Sequence, residues 1–177
     1  MKSMKNSIVL MMVVLGTAMF NQSCKDDDDY QMSNQDFVTQ ASSANMFEIA
    51  AGSLALSKST NTEVQAFGSH MVTDHGQAAT EMAALAARKS WTIPSAMSAK
   101  EQNNYNALAA LSGAEFDKQF AMMMVTSHKE TIELFDDADD DDGVPDADLR
   151  AFAGGKLPTL KHHLTEAESL RENVTGE

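Results

Sequence analysis

From Gln35 almost to its end, the chain repeats apolar side chains every three or four positions. Nowhere does it alternate with the period of two that a half-buried strand requires. β-Branched residues do not cluster either, so an all-α fold is expected. The first helical stretch, about 35–59, carries Phe37, Ala41, Ala44, Ala51 and Ala55 on one stripe. The second opens at Thr60 or Asn61, with Thr60 and Glu63 spaced as a capping box, and carries Val64, Phe67, Met71, Ala78, Met82 and Leu85. Residues 91–94 end it. Ser98 with Glu101 opens a short helix, and Ser112 with Glu115 a long one striped by Phe116, Phe120, Met124, Ile132 and Phe135. An acidic run at 136–143, too polar to bury, closes that helix. The last stretch, about 146–172, carries Leu149, Ala153, Leu160, Ala167 and Leu170. Gly154, Gly155 and Pro158 interrupt it, which predicts a kink or break just before His163. Short connections favour antiparallel neighbours. The expected architecture is therefore an up-down-up-down four-helix bundle over residues 35–174, with a short extra helix between helices 2 and 3.

Into each apolar stripe the sequence puts one polar residue: Glu48, His75, His128 and His163 on helices 1 to 4. His70 and His162 fall instead on the wet faces of helices 2 and 4. The four intruders lie near the middles of their segments, so at about 1.5 Å per residue they can meet within roughly one helical turn of a common level. Burying such groups unpaired costs several kcal/mol each (~2–7 for a neutral polar group), so something must satisfy them. Two answers stay open. Three imidazoles and a carboxylate can hold one Zn, Fe, Mn or Cu ion, or Glu48 and the histidines can satisfy one another without metal. Asp74, about 100° round the helix from His75, is placed to orient a neighbouring histidine by accepting its other N–H.

Two of the histidines end a pentad that occurs twice, Met71-Val72-Thr73-Asp74-His75 and Met124-Val125-Thr126-Ser127-His128. The repeat suggests two related hairpins, helices 1–2 and 3–4, as in ferritin-like bundles. Met71 and Met124 sit one turn before their histidines; core packing is the first reading of both, with thioether ligation of Cu(I) as the other. The acidic run fits a calcium loop only in its middle. With Gly143 as sixth residue, Ala138 and Leu149 fall where the end ligands belong, so calcium is not expected.

The N-terminus carries an address. Lys2 and Lys5 precede an apolar run from Ile8 to Phe20, too short for a span of about 20 residues, and Ser23 precedes Cys24. The expected organisation is a lipoprotein signal peptide at 1–23, a lipidated Cys24 with an acidic tether to residue 34, and then the bundle. An ordinary secretory signal with an incidental thiol is the other reading, because the residue three before Cys24 is Asn21, not an aliphatic one. Lys25-Asp26-Asp27-Asp28-Asp29 favours the first, since it resembles the export signal of surface lipoproteins in Bacteroidetes. The expected address is the cell envelope, as an outer-membrane lipoprotein held through lipid on Cys24, with surface display favoured. The full chain has net charge −13; removing Lys2 and Lys5 with the signal takes it to −15 (−13 − 2). Such an acidic chain with no basic patch excludes nucleic acid as a partner, and the sequence names no protein partner.

Phe37-Val38 and Met46-Phe47-Glu48, Phe67-Gly68 leading into the first pentad, and Phe116-Asp117 before the second resemble the DUF4142 family of bacterial exported proteins. So does Leu157-Pro158-Thr159-Leu160-Lys161-His162-His163. The resemblance covers about 35–170 and implies a ferritin-like helical bundle in the envelope, with no activity attached. Iron-oxidising ferritin-like proteins use Glu-x-x-His pairs. Here Val72, Val125 and Leu160 stand three before the histidines, so one ion at most is expected, not a di-iron centre. No nucleophile–base pair or phosphate loop is present, so an enzyme is not expected. The leading reading is a metal-binding or stress-protective envelope lipoprotein. The alternative is a metal-free surface module that binds a protein or glycan.

Overall fold

The computed structural model describes residues 31–176. Those residues form five helices and no strand: α1 (Asn34–Lys58), α2 (Thr62–Lys89), α3 (Ala99–Ala109), α4 (Gly113–Asp139) and α5 (Ala147–Thr175). None of these is long and apolar enough to cross a membrane. Cys24, the signal at 1–23 and most of the acidic tether lie outside the described residues.

Side chains set the helix starts. Ser33 accepts from Asp36 N–H (3.1 Å), Asn61 from Glu63 N–H (2.9 Å) and Asp146 from Asp148 and Leu149 N–H (3.0 and 3.1 Å). Asn61, not Thr60, is thus the cap of α2. Ser98 caps α3 through Glu101 N–H (3.2 Å), whereas Ser112 makes no side-chain cap at α4, so that expected box does not form. The expected break in α5 is also absent: the helix runs through Gly154, Gly155 and Pro158. Leu149, Ala153, Leu157 and Leu160 are all buried on one stripe, and that packing outweighs the one backbone hydrogen bond that Pro158 forfeits to the Gly154 carbonyl. Gly154 itself lies under the Asp139 carboxylate, where a Cβ would come within 2.4 Å of it.

Two apolar clusters fix the direction of every long helix. One unites the C-terminal half of α1, the N-terminal halves of α2 and α4 and the C-terminal end of α5, through Phe47, Phe67, Phe120 and Leu170. The other unites the opposite ends, through Phe37, Met82, Phe135 and Leu149. Hence α1 and α5 run one way, and α2 and α4 the other. The order is up-down-down-up, which corrects the up-down-up-down expectation. Residues 90–112 are no short turn; they carry the chain back along the molecule's length with α3 on the way. This crossover is pinned to α1, where Ser98 N–H donates to Ser43 Oγ (2.8 Å) and Lys58 Nζ to the Ala109 and Leu111 carbonyls (2.5 and 2.8 Å).

α1 packs chiefly on α2, α4 chiefly on α5, α1 also meets α4, and α2 meets α5 more sparsely. The pentads thus lie on two diagonally opposed, parallel helices. Duplicated hairpins would pair α2 with α5, so the repeat does not record one; it marks two helices with the same task. α1 and α2 approach at Gly52 and Gly68, where a Cβ on Gly68 would come within 2.9 Å of the Gly52 carbonyl and 2.8 Å of Ala55 Cβ. Gly68→Ala is expected to cost about 1–3 kcal/mol by forcing the pair apart, read as a lower urea midpoint. An unchanged midpoint would show that the helices can separate freely there.

Candidate metal centre

Between the two apolar clusters lies a polar layer. Glu48, His75, His128 and His163 are all buried, at 1, 5, 0 and 2 % exposure. Their helices bring them together because each occupies a core position on its own stripe. The ring centroids of the three histidines are 5.4–5.6 Å apart, and one nitrogen from each ring lies within 4.8 Å of those of the other two.

The hydrogen bonds divide the six ring nitrogens into two sets. His75 Nδ1 meets Asn45 Oδ1 (3.0 Å) and Glu48 Oε2 (3.1 Å). His128 Nδ1 donates to the Met124 carbonyl (2.8 Å), with Glu48 Oε1 at 3.6 Å. His163 Nε2 meets Asp74 Oδ2 at 2.9 Å. Each of these nitrogens faces acceptors, so each carries the proton. The other three, His75 Nε2, His128 Nε2 and His163 Nδ1, are buried without any protein partner. With the tautomers set in this way, three lone pairs from three helices are left buried and without a protein partner.

Glu48 is not among the inward-facing donors. Its Oε1 accepts from Ser127 Oγ (2.9 Å) and its Oε2 from His75, so the carboxylate stands behind the rings, contrary to its expected place beside them. Asp74 takes the outer position expected of it, on His163. Sequence reasoning missed Asn45 and Ser127. Ser127 could have been found, since it occupies in the second pentad the place that Asp74 holds in the first. Asn45 lies beside the α1 stripe and carries no comparable signal. Met71 and Met124 pack as core in the cluster that holds Phe67 and Phe120. His70 and His162 are exposed, as their faces predict.

The charges are unbalanced. Burial works against ionising Glu48, but the positive charge of His75 and His128 when those rings are protonated, together with the Ser127 hydroxyl, outweighs it and holds the carboxyl below its ordinary value. Burial also pushes His75 and His163 down, so these rings are neutral at pH 7. No Lys or Arg among the described residues pairs with Glu48. Both histidine shifts are depressions, so the stability tied to them is in place above the ordinary histidine value of about 6.5 and is lost below it, as the unfolded chain takes up protons that the buried rings refuse. The metal-free chain is expected to melt progressively lower as pH falls from 7 towards 5. A melting temperature that rises over that range would contradict the assignment of neutral rings.

A cleft of about 180 Å³ reaches His75 and His163 from the surface, lined also by Asn45, Asp74, Thr131 and Thr159. Lys156 at its edge is paired with Glu81.

The family model for a domain of unknown function, DUF4142, matches residues 21–170. No curated protein matches the chain. Two solved structures are similar in fold. CopM in its Cu(II)-bound form has TM-score 0.65 and 14 % identity, over 81 % of this chain and 98 % of that one. A DUF305 fragment from Deinococcus radiodurans has TM-score 0.67 and 13 % identity, over 77 % and 93 %.

Proposed function

The chain belongs to the DUF4142 family, and from that premise we propose that it holds one transition-metal ion through His75 Nε2, His128 Nε2 and His163 Nδ1. The observation that carries this reading is the set of three buried, partnerless nitrogens on rings whose centroids lie 5.4–5.6 Å apart, each on a ring whose other nitrogen is tied to oxygen. A purely internal Glu48–histidine network would satisfy one nitrogen per ring and leave these three at full desolvation cost. The space fits an ion. A triangle with sides of 4.8 Å has its centre about 2.8 Å from each corner (4.8 ÷ √3). Each ring therefore needs to move about 0.7 Å or less to reach a metal–nitrogen length of about 2.1 Å.

With Glu48 turned away, the donors are all imidazole. That set suits Zn, Cu and Fe and makes Mn, which prefers oxygen, a poor occupant. Copper binds such sites tightest among divalent ions of the first row, and the similar fold of CopM was solved with Cu(II), so copper is the first ion to test. Three protein ligands leave a fourth position, on which the ion could take water or a small ligand. The role we infer is metal binding or stress protection, not turnover. We place the helices among ferritin-like bundles, with the single long crossover of that class.

Protein purified without an affinity tag should contain close to one metal ion per chain by elemental analysis. Metal-free protein that gains no ion on exposure to copper or zinc would end this reading. We further propose that the chain is an envelope lipoprotein anchored at Cys24. Cys24→Ala should move it from the membrane fraction to the soluble one, and continued membrane association would count against the anchor.

A further inference from the structure

We propose that His70, His162 and Glu166 form a second, solvent-facing site for a divalent transition-metal ion, on the seam between α2 and α5. Glu166 is approached by an imidazole from each helix: its Oε2 lies 3.4 Å from His70 Nδ1 and its Oε1 3.7 Å from His162 Nε2. These are the two histidines left outside the buried centre, and they flank the same carboxylate. Two neutral imidazoles and a carboxylate make a donor set that Zn(II) and Cu(II) both accept, with the remaining positions filled by water. Among the described residues only the buried histidines already bring three donor atoms within 4.8 Å of one another; the side chains of His70 and His162 are 55 and 70 % exposed, so they would have to rotate about Glu166 to close onto an ion.

The position of the cluster is a second observation. His70 is one turn from Asp74 on α2, and Glu166 nearly one turn from His163 on α5. The half-exposed Asp74 bonds His163 at 2.9 Å and adds negative charge between the cluster and the buried rings. An ion held by His70, His162 and Glu166 would thus sit at the outer end of a line of donors that ends at His163.

A surface ion pair with protonated histidines is the competing account, and it predicts no metal dependence. The site rests on no property of the buried nitrogens, so either can fail alone. The test is a Zn(II) titration of the metal-free full chain at pH 7.5, with bound zinc counted after equilibrium dialysis. Two ions per chain are expected, the outer one weaker. The double variant His70→Ala/His162→Ala should lose the weaker ion, or bind it at least tenfold less tightly, and keep the other. Glu166→Gln should weaken the same ion, and His128→Leu should lose the tight one and keep the outer one. Identical zinc binding by the wild type and the double variant overturns the proposal and leaves the buried centre untouched. A single ion that survives His128→Leu and disappears in the double variant keeps this site and sinks the buried one. All these side chains but His128 are on the surface, so their variants should melt like the parent, and a melt confirms that each is folded.

Discussion

The metal-loaded chain is expected to melt about 5–10 °C above the same chain stripped by a chelator, and His128→Leu to abolish that difference. An ion present at one hundred times its dissociation constant stabilises the native state by about 2.7 kcal/mol. For a domain of this size each kcal/mol moves the midpoint by about 2–4 °C. His128 is the right ring to remove because it is wholly buried and its outer nitrogen is satisfied within its own helix, by the Met124 carbonyl. Leucine keeps most of the volume, whereas alanine would add a cavity cost that falls on both states. The two readings of the polar layer part on the metal-free proteins. If the layer exists to hold an ion, stripped His128→Leu should be as stable as the stripped parent or more so, because it removes a nitrogen that nothing satisfies. If the layer is a self-sufficient network, the substitution should cost stability and chelation should change nothing. A stripped parent that melts with the untreated one, both free of metal, decides for the network.

The second large effect is expected from Glu48→Gln. The amide keeps the shape and can still accept from Ser127 or His75, but it removes the one buried negative charge of the layer. Acceptors placed behind metal-binding imidazoles commonly contribute a factor of about 10–100 in affinity, or roughly 1.4–2.7 kcal/mol. Glu48 touches two of the three rings, so the upper part of that range is expected. The metal-free variant should lose little, since in that state the carboxylate has no cation to balance it. The measurements are the dissociation constant by competition with a chelator of known affinity, and the melting of both stripped proteins. Unchanged affinity with a stripped variant several kcal/mol less stable would make Glu48 a structural residue only.

The helices, their faces and the level of the polar layer were all legible in the chain. Periodicity reads burial directly, and His75, His128 and His163 sit where Ile or Leu would otherwise be expected. Direction was not legible in the same way. Nothing in the stripes of α2 and α4 says that both run the same way, and the evidence lay in the stretch from 90 to 112, whose length is enough to return along the molecule. Treating that stretch, extra helix included, as a connection between antiparallel neighbours produced the wrong order. Glu48 was assigned to the right layer and the wrong side of it, because periodicity gives the face of a residue but not where a flexible side chain ends. Pro158 misled for another reason. Its cost is local and fixed, while the buried leucines on both sides of it supply packing that no single-helix argument counts.

The crossover has a consequence for how long a guest would stay. By lying along α1 and α4 and bonding to α1 at both of its ends, it straps one side of the barrel shut. The opposite side, where α2 faces α5, has no strap and far sparser contact than α1 with α2 or α4 with α5. The cleft to His75 and His163 is lined largely from α2 and α5, so an ion held by the rings would leave along it, and its lifetime inside would be set jointly by the strength of the nitrogens and by how often the two helices part.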